Sequence, residues 1–87
     1  MKKQGTKKTP AKAKKPPPEL NKLSARIKEL RKNKGYKSHE AFAYDIGISR
    51  SQYNKYERGY DIRFTTLVRI IKELNMSIDE FFSEGFD

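Results

Sequence analysis

The sequence predicts an all-α fold, a compact bundle of five short helices preceded by a disordered basic arm. Three observations carry that prediction. From Leu20 onward, apolar residues recur at spacings of three and four, the period of one helix face. Serine, glycine and asparagine punctuate the chain where helices should start and stop. No alternating run of apolar and polar residues competes as a strand.

Each element has its own local signal. Residues 1–18 hold lysine, proline, threonine and alanine without an apolar period. Such a segment cannot offset the entropy of ordering itself and is expected to be disordered. The Pro16-Pro17-Pro18 run is expected to be extended, and it places proline in the first turn of the first helix. Leu20, Leu23, Ile27 and Leu30 share one face of that helix, with Lys22, Arg26, Lys28, Glu29 and Lys32 mostly elsewhere. It should stop between Asn33 and Gly35. Ser38 is placed to cap a second helix, His39 to Ile46, which turns Phe42, Ala43 and Ile46 inward.

Gly47 breaks the second helix after two turns, and Ser49-Arg50-Ser51-Gln52 reads as a capping box that starts a third, ending at Gly59. A fourth carries Phe64, Leu67, Ile70, Ile71 and Leu74 at helical spacing and closes at Asn75. Ser77-Ile78-Asp79-Glu80 is a second capping box, opening a short fifth helix with Ile78, Phe81 and Phe82. The expected organisation is an arm over 1–18, a folded domain over 19–83 and a short acidic tail over 84–87.

Composition narrows the function. Of 87 residues, 34% are hydrophobic and 36% charged, enough for one small core. The chain has no cysteine, which removes disulfides, thiolate metal sites and thiol catalysis. His39 is the single histidine, so no metal site and no cofactor are expected. No Ser–His–acid spacing stands out, and an enzyme is not expected. The basic start runs into prolines rather than an apolar stretch, so neither a membrane span nor a secretory leader is expected.

The net charge is +9, and it is unevenly distributed. Residues 1–18 carry seven lysines and no acid, residues 19–72 carry a surplus of seven cations, and residues 73–87 carry five acids and no base. Cation at one end and anion at the other favours an oriented encounter with a polyanion such as nucleic acid.

The middle of the chain says how. Two short helices joined by a tight glycine-containing turn form a helix-turn-helix. Ala43 supplies the small side chain where the helices cross, Gly47 the turn, and Tyr53 the residue that faces back into the core. If Tyr53 and Tyr56 face inward, then Arg50, Ser51, Asn54, Lys55 and Arg58 form an outward stripe.

The stretch SHEAFAYDIGISRSQYNKYERG, residues 38–59, closely resembles the lambda-repressor-like, Cro/XRE family of helix-turn-helix DNA-binding proteins. The likeness continues through LVRIIKELNMSIDEFF, residues 67–82, and covers about residues 20 to 82. His39 stands where that family usually has glutamine, and Asn75 where it usually has glycine. The link over 35–38 looks one residue longer than usual, and the stretch from Gly59 to Leu67 one shorter.

The resemblance implies a DNA-binding transcriptional regulator, of repressor type, acting as a homodimer on a palindromic operator. Its third helix would enter the major groove. Arg50, Ser51 and Lys55 match frequent base readers, with Gln52 and Asn54 near the same groove. Ser38 and His39, at a helix N-terminus, are phosphate candidates, as are Arg58 and Arg63 beside Tyr60. A solvated His39 is an equal reading. Glu57 matches an acid that pairs with an arginine of the first helix, here Arg31, as a structural tie. Tyr44 could support the core or offer its hydroxyl to a phosphate. One of Phe81 and Phe82 should cap the core, leaving the other and Phe86 for a second copy, unless all three pack within the monomer. The lysine arm would track phosphates.

No small-molecule ligand is indicated, and a cytoplasmic, nucleoid-associated protein is expected. The alternative is an antitoxin-like or bridging protein–protein module. RNA binding through the arm is more remote, since no stacking sheet is present.

Overall fold

The computed structural model describes residues 17–87; the arm expected over 1–18 lies almost wholly outside them. Five helices occur in the order α1 (Pro18–Asn33), α2 (His39–Ile46), α3 (Arg50–Glu57), α4 (Phe64–Glu73) and α5 (Ile78–Phe82), with no strand among the described residues. Each end has a local cause. α1 opens with Pro18 at its first position and Glu19 in its first turn, and Gly35 lies beyond its end in the left-handed region. Asn75, at φ 59°, takes the same conformation after α4. α5 begins with a complete capping box, in which Ser77 Oγ accepts from the Glu80 amide and the Glu80 carboxylate accepts from the Ser77 amide.

Two expected caps are only half made. Ser38 occupies the N-cap of α2, but its hydroxyl makes no capping bond. Ser49 accepts from the Gln52 amide at 3.2 Å, yet the Gln52 side chain does not reach back. Its amide donates instead to the Tyr56 hydroxyl at 2.9 Å, one turn along α3. α3 itself ends at Glu57, with Arg58 as its cap, two residues earlier than the glycine suggested.

The core joins one residue of α1, Ile27, to Phe42, Ala43 and Ile46 of α2 and to Tyr53 and Tyr56 of α3. Leu67, Ile70 and Ile71 of α4, Leu74 at its end and Phe81 of α5 complete it. Leu23, Leu30, Ile48 and Phe86 pack around its edge. Tyr53 is fully buried, set edge-on to Phe42 at 5.4 Å between ring centres. Phe64, expected on the apolar face of the fourth helix, is 60% exposed. It is the first residue of α4, where the helix has not yet come down onto the core.

Polar residues on α1 do more than its apolar stripe announces. Arg26, expected on the outer side, is buried. Its guanidinium donates to the carbonyls of Phe81 at 2.7 Å and Glu80 at 2.9 Å, and so ties α1 to α5. Both lie in the last turn of α5, where carbonyls lack intrahelical partners; that of Glu80 also accepts from the Ser83 amide and hydroxyl. Ser24 Oγ donates to the Tyr56 carbonyl at 2.5 Å, joining α1 to α3 in the same way.

Candidate nucleic-acid interface

The site is built on the turn between α2 and α3. Gly47 ends α2 at φ 74° and ψ 30°, a conformation that L side chains rarely adopt. Its amide donates to the Tyr44 carbonyl, and the Ile48 amide donates to that of Ala43. Arg69 of α4 clamps the turn from the other side, donating to the Ile46 carbonyl at 2.5 Å and approaching that of Gly47 at 3.4 Å. With the turn held, Ser49 caps α3 and Tyr53 goes inward, so the opposite flank of α3 must face out.

Along that flank Arg50, Ser51, Gln52, Lys55 and Arg58 are exposed and Asn54 is half-buried. They are not equally unoccupied. Arg50 Nη1 donates to Glu40 Oε2 at 2.5 Å. Gln52 is held by the Tyr56 hydroxyl. Lys55 and Arg58 lie on the ring of Tyr60, at 6.0 and 5.5 Å from its centre. Ser38 and Arg63 are exposed, Arg63 as the N-cap of α4. His39 is half-buried, its ring stacked on that of Tyr53 at 6.4 Å, which anchors the start of α2 to the core.

Behind α3, Arg31 grips Glu57 with two bonds, Nε to Oε2 at 2.7 Å and Nη2 to Oε1 at 3.2 Å. Both side chains are buried. Arg31 also donates to the Tyr36 carbonyl, so one guanidinium joins α1, the link after it and α3. The Tyr53 hydroxyl donates to the same Glu57 carboxylate at 2.5 Å. Burial, and then this bond, raise the Tyr53 phenol well above its ordinary range. Tyr36 donates to Asp45, and that bond pushes its phenol up to about 12.

Three residues with a part in this geometry were not legible as such. Arg69 lies among apolar neighbours of α4, and its position between Val68 and Ile70 is the one hint that it turns toward α2. Arg26 had no signal beyond its place beside Ile27. Glu40 is ten residues from Arg50, and only the crossing of α2 and α3 brings them together. Tyr44 is 85% exposed, so it does not support the core. Of the three C-terminal phenylalanines, Phe81 is buried, Phe86 packs at the core's edge, and Phe82 is partly exposed. No group of His, Cys, Asp and Glu able to hold a metal occurs among the described residues, and no described helix is long and apolar enough to cross a membrane.

A protein-family model described as helix-turn-helix matches residues 27–81, more than half of the chain. No curated protein and no solved structure matches.

Proposed function

The chain belongs to the Cro/C1-type helix-turn-helix (XRE) family and is a DNA-binding regulator, and from that premise we propose that it reads specific duplex sequences as a repressor. In this reading α3 lies in the major groove. Arg50, Ser51 and Lys55 contact base edges, with Gln52 and Asn54 beside them. Ser38, His39, Arg58 and Arg63 hold backbone phosphates, contacts that fix register without reading sequence. The observation that carries it is the pairing of a fully buried Tyr53 with an exposed cationic flank on the same two-turn helix. A short helix so anchored presents its polar side as one rigid unit.

His39 suits its role because its ring is already seated on Tyr53, and the first amides of α2 lie beside it. Homodimerisation on a palindromic operator completes the reading. Ile78 and Phe82 of α5 remain partly exposed and are offered to the second copy. Repression would result from occupancy of promoter DNA, at the nucleoid.

Selection of preferred duplexes from a random pool tests it, with the full chain and with residues 1–18 deleted. The expected result is a defined site with two half-sites roughly one helical turn apart. Replacement of Arg50, Ser51 and Lys55 by alanine should abolish the preference and leave non-specific binding through the arm. An unchanged preference in that variant would refute the groove assignment.

A further inference from the structure

We propose that Glu40 is a specificity-determining residue, the carboxylate that aims Arg50 at guanine. The inference rests on the reading of α3 as the base-reading helix. Glu40 lies in the first turn of α2 and Arg50 is the first residue of α3. Their side chains meet at 2.5 Å although both are largely open to solvent, at 55% and 68% exposure. The helix dipole favours an acid in the first turn of α2, yet the same charge repels the polyanion that Ser38 and His39 are placed to meet.

The geometry of the pair resolves that conflict. Glu40 takes one N–H of Arg50 Nη1. A guanidinium carries five N–H donors in a planar fork, so its other donors remain available, with two of them parallel. Two parallel donors are what the O6 and N7 acceptors of guanine require. The carboxylate thus holds the arginine at one edge and leaves another to read the base. It also replaces a long, rotatable side chain by one with a preferred direction, which lowers the ordering cost at the moment of binding.

The remaining lone pairs of Glu40 belong to a side chain that is 55% exposed and stay open to solvent. They accept from the N4 amino group of cytosine and are repelled by groups that present only acceptors. The pair therefore favours particular bases in two ways, by aiming a donor and by penalising wrong acceptors. The same negative charge weakens binding to duplexes of any sequence, which widens the difference between right and wrong sites.

The experiment compares Glu40→Gln, Glu40→Ala, Arg50→Ala and the double variant Glu40→Ala/Arg50→Ala in the full chain. The probes are the selected duplex and a set with each base exchanged at the guanine nearest Arg50. A bidentate arginine–guanine contact discriminates by roughly 5- to 150-fold. Arg50→Ala should remove that preference. Glu40→Ala should reduce it at least about threefold, while affinity for unrelated duplex rises roughly two- to fivefold, the range that exposed charge pairs span. Glu40→Gln keeps an acceptor without the charge and should fall between. In the Arg50→Ala background the aiming effect is gone, so Glu40→Ala should change the preference less than it does with Arg50 present.

A role for Glu40 confined to folding would move the thermal midpoint and not the base preference. If Arg50→Ala abolishes the preference and Glu40→Ala leaves it intact, the inference is overturned and the reading of α3 stands. If Arg50→Ala itself changes nothing, the reading of α3 falls and the inference with it.

Discussion

Replacing Gly47 by alanine perturbs the turn on which the whole interface depends, and its cost can be built from separate terms. At φ 74° the backbone is left-handed, where a Cβ costs about 1–2 kcal/mol. Alanine also restricts the unfolded chain, which returns about 0.4–1 kcal/mol. The local balance is therefore a loss of about 1 kcal/mol. A Cβ at this position would stand 3.0 Å from Arg69 Nη2. That atom ends a flexible side chain and can retreat, so the clash itself is cheap. The retreat nevertheless loosens its bond to the Ile46 carbonyl, and charge-assisted bonds contribute about 1.5–3 kcal/mol when intact. Loss of part of that bond adds about 1 kcal/mol.

The total for Gly47→Ala is about 2 kcal/mol of stability. For a domain of this size each kcal/mol moves the thermal midpoint by about 4–8 °C, so a fall of about 8–16 °C is expected by calorimetry. The two terms separate in a double-mutant cycle with Arg69→Ala. Without the guanidinium, Gly47→Ala should cost only its backbone term, a coupling of about 1 kcal/mol. A single-variant loss below about 0.5 kcal/mol, or strict additivity with Arg69→Ala, would refute the account of the turn as a glycine locked by an arginine.

Two further outcomes are expected of the cluster behind α3. Glu57→Gln leaves the Arg31 guanidinium buried without its counter-charge, and urea denaturation should show a loss of about 3–5 kcal/mol; a change under about 1 kcal/mol would mean that the pair is solvated. Alkali should unfold the domain through its phenols. Tyr36 and Tyr53 are raised in the folded state above their ordinary 10.0, so the folded chain keeps protons that the unfolded chain releases. Their stabilisation is complete below about pH 10 and is lost as pH climbs through the folded values, towards about 12 for Tyr36. Denaturation midpoints measured from about pH 8 to 11.5 should fall above about pH 10, less steeply in Tyr53→Phe, and an equal slope in that variant would contradict the role of its buried hydroxyl.

The features legible in the sequence were those that one helix can state alone. Leu67, Ile70, Ile71 and Leu74 declare a buried face by spacing, and all four are in the core. The Ser77–Glu80 box and the left-handed Asn75 are likewise local, and each has the expected geometry. Residues whose roles depend on a second helix were hidden. Gln52 stands where a capping box would use it, but its amide donates instead to the Tyr56 hydroxyl one turn on. Phe64 has the right spacing and the wrong place, at the lip of α4. Arg50 is exposed as the stripe on α3 implies, yet its partner is on α2. Spacing reports which way a side chain points; it is silent on what comes to meet it there.

That silence matters most for charge. Six arginines lie among the described residues, and counted as sequence they add equally to a positive surface. In the fold Arg26 and Arg69 donate to carbonyls of α5 and at the end of α2, and Arg31 is neutralised by Glu57. A flat fork with five donors meets several acceptors in fixed directions at once, which suits the guanidinium to hold helices together. The lysines divide differently: Lys28, Lys32, Lys34, Lys37, Lys55 and Lys72 are all exposed. The exposed lysines, with Arg58 and Arg63, therefore carry the long-range field of the domain, whereas Arg26, Arg31 and Arg69 act at short range on defined acceptors. Arg50 stands between the two groups, exposed like the lysines and directed like the buried arginines. A residue so placed is suited to read an acceptor pattern, because its orientation is set before the partner arrives.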